Sequence, residues 1–323
     1  MADVPARSPD VSEPLFLPPP SDTLEGMGSR AHSLRRHIVG FLRLPVVRSV
    51  SSFALSACVT ATVGGKARGG EPFTVMQVGG RGGADPYTHW LRLRGEAKTV
   101  GVEPEAVGLD DMRAKKAYDY VVDQALSDTE GDATLYVTRG RGWCSLLQPD
   151  ETAIAAIATE RCLRERSFEV VGTQQVRCTT FDRVRGSLPP IDYLQIDVQG
   201  AELRVLRGAE ASLEGISMVE LETRFSPVYR DESLFPETHA FLESHGFRLH
   251  RMWPQGEREF GRNYVEVNAC YYNAKSAAAD PAHMDALMRY ADAKHAQYGN
   301  SLLRLLCDVH PVDRLSSEAV KMG

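Results

Sequence analysis

This sequence has no apolar run long enough to cross a bilayer. Its best candidate, Ser49 to Val63, is short and rich in Ser, Thr and Ala, and Arg43 and Arg48 interrupt the apolar residues leading into it. Arg35 and Arg36 stand further upstream, but a long polar tail precedes them. The segment therefore reads as an amphipathic lead-in helix, not a signal segment. Cysteine is sparse and dispersed: Cys58, Cys144, Cys162, Cys178, Cys270 and Cys307 form no C-x-x-C pair and have no clustered histidines beside them. That spacing disfavours a zinc site and a disulfide framework, and it fits reduced thiols in a cytoplasmic protein. There is no excess of basic charge either. The formal net charge is -6, with acidic and basic residues interleaved, which argues against nucleic acid or an anionic membrane as the main partner. No ligand spacing calls for a metal.

What is present is an ordinary globular composition on 323 residues, enough for one large α/β domain with extensions. Residues 1–30, rich in Pro, Ser and Asp, predict a flexible tail. Residues 31–70 predict a helical lead-in, with Leu34, Ile38, Phe41 and Leu42 at helical spacing. From residue 71 to 274, short apolar runs alternate with helical patterns. Strands are expected at Phe73–Val78, Thr99–Val102, Tyr118–Ala125, Ala133–Thr138, Gln175–Thr179, Ile191–Ile196, Ile216–Leu221, Phe247–Arg251 and Val265–Tyr271. Helices are expected around Trp90, over Val107–Lys116, Thr152–Glu165, Ala201–Leu213 and Pro236–His245. This alternation predicts a mainly parallel sheet with helices on both faces. The last two strands lack a helix between them, so a hairpin there turns the final strand antiparallel. Residues 275–323 predict a helical extension.

Three places can carry chemistry. The strand Val75-Met76-Gln77-Val78 runs into Gly79-Gly80-Arg81-Gly82-Gly83, a backbone that a ligand can approach closely. The third glycine of G-x-G-x-x-G is missing. Asp85-Pro86 then predicts an N-cap followed by proline at the first helical position. A cap carboxylate and a lost amide suit a phosphate-free cofactor better than the pyrophosphate of NAD. Glu103 ends the second strand about 20 residues beyond the glycines, the offset of an acid that binds ribose hydroxyls. Asp197 ends the apolar strand Ile191–Ile196, at the carboxyl edge where open α/β sheets bind ligands. It can orient an ammonium group, hold a metal, accept a proton, or cap the helix that follows. Glu222, His89 and His239 are lesser candidates for a base.

The stretch Asp192-Tyr193-Leu194-Gln195-Ile196-Asp197-Val198-Gln199-Gly200-Ala201-Glu202 resembles the I-D-V-E-G-A-E signature of the FkbM family of methyltransferases. Phe225-Ser226-Pro227-Val228-Tyr229, then Phe235 and Phe241-Leu242 through Gly246-Phe247, is similar to that family's S-P-L-Y…F…F-L…G-F pattern. Val102-Glu103-Pro104 and Ala125-Leu126-Ser127-Asp128 add to the resemblance, which spans about Phe73 to Tyr272. It implies a class I methyltransferase (Rossmann-like) α/β fold: a doubly wound, mostly parallel seven-stranded sheet whose last strand is antiparallel. It also implies S-adenosylmethionine as methyl donor and O-methylation of a sugar or natural-product hydroxyl. By position, Gln77, Gly79, Gly80, Arg81 and Gly83 hold the methionine end and Glu103 the ribose. Ala125, Leu126 and Ser127 line the adenine, and Asp197 serves the cofactor and as general base. The expected partner is a small hydroxylated acceptor, and the chain can form a homo-oligomer. The sequence departs from the family where Gln77 replaces an acid, Gly80 alanine, Arg81 asparagine, Gln195 lysine and Gln199 glutamate. These changes leave open a second function, a methyltransferase fold that binds a partner without transferring a methyl group.

Overall fold

The structure, a computed structural model, describes residues 71–255, 260–261 and 265–299. The expected tail, the lead-in helix and the distal part of the C-terminal extension, with Cys58 and Cys307, lie outside these residues.

In chain order the elements are β1 (Phe73–Val78), α1 (Pro86–Leu93), β2 (Ala97–Val102), α2 (Ala106–Ala114), β3 (Tyr120–Val122), β4 (Ala125–Leu126) and β5 (Gly131–Thr138). Then come α3 (Glu151–Ile157), α4 (Glu160–Glu165), β6 (Val170–Thr179), α5 (Phe181–Val184), β7 (Tyr193–Ile196), α6 (Glu202–Arg207) and β8 (Met218–Arg224). The series ends with α7 (Phe235–Ser244), β9 (Phe247–Gln255), β10 (Glu266–Asn273), α8 (Ala274–Ala279) and α9 (Pro281–Gly299).

Seven strands form one sheet in the order β3-β2-β1-β7-β8-β10-β9. All neighbours are parallel except β10, which is antiparallel to both β8 and β9. The last strand in the chain therefore slots inside the edge strand β9, as the hairpin between them requires. This is the class I methyltransferase arrangement. The order reverses between β1 and β7, and that switch point opens a crevice at the carboxyl ends of the strands.

The residues of β1 alternate between two cores. Met76 and Val78 join Leu194, Ile196, Leu203, Leu206, Val219 and Leu221 on one face. Phe73 and Val75 pack on the other with Leu91, Tyr193, Met218, Cys270 and, from α9, Met284, Leu287 and Tyr290. The C-terminal helix is thus docked on the sheet. Its Lys294 is 2% exposed and donates to Glu220 Oε1 of β8 at 2.8 Å. Burial alone would raise the Glu220 carboxyl, but Lys294 and His295 hold it at about 2.

Several expected boundaries move. The single strand expected over Tyr118–Ala125 is two: β3 stays in the main sheet, while β4 pairs in parallel with β6 in a separate three-stranded sheet, β4-β6-β5. The expected helix Thr152–Glu165 breaks at Ala158, where extended backbone lets Thr159 cap α4 by accepting from the Cys162 amide. The expected helix Ala201–Leu213 ends at Gly208 and continues as a 3-10 segment, Glu210–Gly215. Cys144, Cys178 and Cys270 are free thiols. Among the described residues, no helix is long and apolar enough to cross a membrane, and no group of three or more His, Cys, Asp or Glu is placed to hold a metal ion.

Candidate functional site

A cleft of about 210 Å³ lies at the carboxyl ends of β1, β2 and β7. Its floor is built by close approach of two strand ends. Asp197 N donates to Val78 O at 2.9 Å, and Gly79 N and Gly80 N both donate to Val102 O, at 3.1 and 2.9 Å. Gly79 has φ +88°, and a Cβ there would lie 1.9 Å from the Asp197 carbonyl oxygen. Only glycine lets the turn after β1 run against the end of β7.

Asp85 caps α1 as the sequence predicts. Its Oδ1 accepts from the Tyr87 and Thr88 amides, both at 3.1 Å, and Pro86 occupies the first turn. The free amides of that helix start are therefore already used.

Two carboxylates flank the glycine turn. Glu103, at the end of β2, is 6% exposed, and its Oε1 accepts from the Glu105 amide at 2.9 Å. Burial raises its pKa to about 7, with the Arg81 guanidinium pulling the other way. Asp197, at the end of β7, opens onto the cleft, and its Oδ1 accepts from Gln199 Nε2 at 2.8 Å. Desolvation by the surrounding protein raises its pKa, against the lowering effects of the Gln199 hydrogen bond and the Arg224 charge. Asp197 does not cap the helix that follows, whose N-cap is Ala201 with no side-chain cap; Glu202 Oε1 instead accepts from the Val198 and Gly200 amides of the intervening loop, at 3.0 and 3.1 Å.

Gly79, Arg81, Glu103, Ala125, Leu126 and Asp197 line the cleft, with Leu135 and Leu146 completing the apolar wall beside Ala125 and Leu126. Gln77, Gly80, Gly83 and Ser127 are not part of that lining. Gln77 instead braces the loop: its Oε1 accepts from Tyr118 Oη at 2.8 Å, and the same hydroxyl lies 3.2 Å from Gly80 O. Neither His89 nor His239 lines the cleft. His239 lies on α7 with Nδ1 3.3 Å from Tyr271 Oη.

Four further residues, Glu105, Arg141, Gln199 and Arg224, contribute beyond the expected site residues. Glu105, buried just past Glu103, receives Arg81 and, at 3.0 Å, Arg141 Nη1. Both arginines line the cleft. Behind Asp197, Gln199 and Arg224 lead into a buried polar network. Arg224 is 1% exposed and pairs with Glu222, with Glu232 at 2.9 Å and with Glu266 at 2.9 Å. The Phe225–Tyr229 segment wraps this network: Glu232 Oε2 accepts from the Val228 and Tyr229 amides at 2.7 and 3.0 Å, and the Tyr229 ring lies 5.5 Å from the guanidinium. Glu222 is thus committed to a buried ion cluster.

No curated protein matches the chain. Among solved structures, a methyltransferase FkbM from Methylobacillus flagellatus KT is 9% identical with a TM-score of 0.38, covering 62% of this chain and 44% of its own. The chain thus spans less than half the length of that protein. A TehB-like SAM-dependent methyltransferase from Corynebacterium glutamicum ATCC 13032 is 8% identical with a TM-score of 0.31, covering 70% of this chain and 96% of its own. A mutant of MtNAS in complex with S-adenosylmethionine is 14% identical with a TM-score of 0.29, covering 77% and 74%. The sequence profile of the methyltransferase FkbM domain matches residues 68–249, more than half of the sequence and the whole of the cleft, and the chain belongs to that family.

Proposed function

We propose that this chain transfers a methyl group from S-adenosylmethionine to a hydroxyl oxygen of a small acceptor, such as a sugar or natural product. The observation that carries this is the pair of carboxylates, Glu103 and Asp197, on either side of the Gly79 turn. The residues suit a nucleoside cofactor without phosphates. Glu103 has one oxygen held by the Glu105 amide and the other left for ribose hydroxyls. Ala125, Leu126, Leu135 and Leu146 offer an apolar wall to a base. The amides that would hold a pyrophosphate are taken by Asp85. Arg81 stands on the lining beside the glycine turn, where it can pair with the methionine carboxylate.

When bound, the cofactor supplies an electrophilic methyl group on a sulfonium. The protein then has to align the acceptor oxygen with that methyl and exclude water. Asp197 is the group placed to accept the hydroxyl proton, and its raised pKa makes it a stronger base than a solvated aspartate. The binding-only alternative draws on Gln77, whose amide oxygen is spent on Tyr118 and brings no acid to the cleft.

The ribose role of Glu103 gives a pH signature. In the free protein its carboxyl titrates at about 7. If ribose requires the ionised form, affinity falls by up to about tenfold per pH unit below 7 and levels off above it. Calorimetric titration with S-adenosylhomocysteine between pH 6 and 8 should show this slope, and Glu103→Gln should bind more weakly at pH 8 with the slope removed. A profile unchanged by Glu103→Gln would take the ribose away from this residue.

A further inference from the structure

Gln199 stands between the cleft and the buried arginine cluster, and its amide has no unused capacity. Nε2 donates to Asp197 Oδ1 at 2.8 Å and to Glu222 Oε1 at 3.1 Å. Oε1 accepts from Arg224 Nη2 at 2.9 Å and lies 3.2 Å from Tyr229 Oη, whose one proton is shared with the Trp143 carbonyl at 3.0 Å. Two donors and two acceptor positions are the whole inventory of a primary amide. The amide cannot be flipped, because its nitrogen faces two carboxylates while its oxygen faces a guanidinium and a phenol. The residue is 7% exposed.

The backbone is held as firmly. Gln199 has φ +60°, a left-handed conformation that a non-glycine residue adopts at some cost. Its carbonyl accepts from Ser145 Oγ at 2.8 Å, which ties it to the segment beyond β5. A residue strained in its backbone and saturated in its side chain has one conformation available. The amide thus ties Asp197, where the network meets the cleft, to Glu222 and Arg224 behind it. Gln199 engages only Oδ1, which leaves Asp197 Oδ2 to the cleft.

We propose that Gln199 is a positioning residue: its amide clamps one oxygen of Asp197 so that the other is aimed at the ammonium group of the cofactor's amino-acid end. This rests on S-adenosylmethionine occupying the cleft. Glutamate is the family's usual residue here, but in this chain the amide fits because its nitrogen faces both Asp197 and Glu222. A carboxylate in its place would set an oxygen within about 3 Å of both Asp197 and Glu222 and would force a shared proton on one of them. Asp197 would then lose the charge that an ammonium group seeks.

The test compares two ligands on the full-length chain by calorimetry at pH 7.5. One is S-adenosylhomocysteine. The other is methylthioadenosine, which has the same nucleoside and sulfur but lacks the amino-acid end. Gln199→Met keeps the length and removes every side-chain hydrogen bond. Gln199→Glu keeps the oxygen that Arg224 and Tyr229 face and replaces the donors to Asp197 and Glu222 with a carboxylate oxygen, so it serves if the methionine variant fails to fold. Either variant should weaken S-adenosylhomocysteine by about 10- to 100-fold while methylthioadenosine stays within about twofold of wild type. Equal loss for both ligands would make Gln199 structural and overturn the inference, as would no loss for either. A wild-type chain that binds neither ligand would remove the cofactor from the cleft, and the inference with it. That outcome is distinguished by the wild-type measurement alone.

Discussion

Arg224→Met should lower the stability of this protein by about 3–5 kcal/mol, the range for a buried charge cluster that loses one partner. The guanidinium is 1% exposed and is the cation that Glu222, Glu232 and Glu266 all contact. Methionine fills much of the volume but leaves three buried carboxylates facing one another. Their pKa values would then rise above those in the unfolded chain. The folded variant would hold protons that the unfolded chain releases, so its stability should fall as pH rises from about 5 to 8. Denaturant unfolding of both proteins across that range measures the effect. A loss below about 1 kcal/mol, flat with pH, would mean that the carboxylates are not confined as the structure shows.

Gly79→Ala should be comparably severe, and at the site itself. The added Cβ falls 1.9 Å from the Asp197 carbonyl oxygen, with φ at +88°. Backbone meets backbone there, so no side chain can swing aside. The ends of β1 and β7 must part, and with them go the hydrogen bonds from Gly79 and Gly80 to Val102. Overpacking and a left-handed alanine together cost about 3 kcal/mol or more, and binding of S-adenosylhomocysteine should vanish. Gly82→Ala is the control: φ is +89°, but nothing lies within 4 Å of its Cβ. It should lose about 1–2 kcal/mol from backbone strain alone and keep its binding. If both variants bind alike, the close approach at Gly79 does not shape the cleft.

Much of the fold is legible in the sequence because the local signals are strong. Phe73–Val78 and Ile191–Ile196 are apolar runs that a parallel sheet buries on both faces, and Asp85-Pro86 announces a helix start that the structure caps as expected. Glu103 and Asp197 could be located because each ends such a run. The missed boundaries depend on tertiary partners. Tyr118–Ala125 looks continuous, yet Ala125 and Leu126 leave the main sheet to pair with Cys178 and Thr179. β8 runs on to Arg224 through Glu222, residues that look like solvent-facing strand positions. They are interior because β10 and the Phe225–Tyr229 segment close over them. A usable signal was the alternation Glu220, Glu222, Arg224 on one face of a strand that must be central: such charges are buried and therefore paired. Arg141 had no comparable mark, since its partner Glu105 lies 36 residues away in sequence.

Calorimetric titration of the wild-type chain with S-adenosylhomocysteine tests the central claim most directly. The cleft described here should bind it at a single site with micromolar affinity, and Asp197→Asn should weaken that binding by about tenfold or more. No measurable binding at millimolar ligand, by a chain that unfolds cooperatively, would contradict a cofactor site between Glu103 and Asp197.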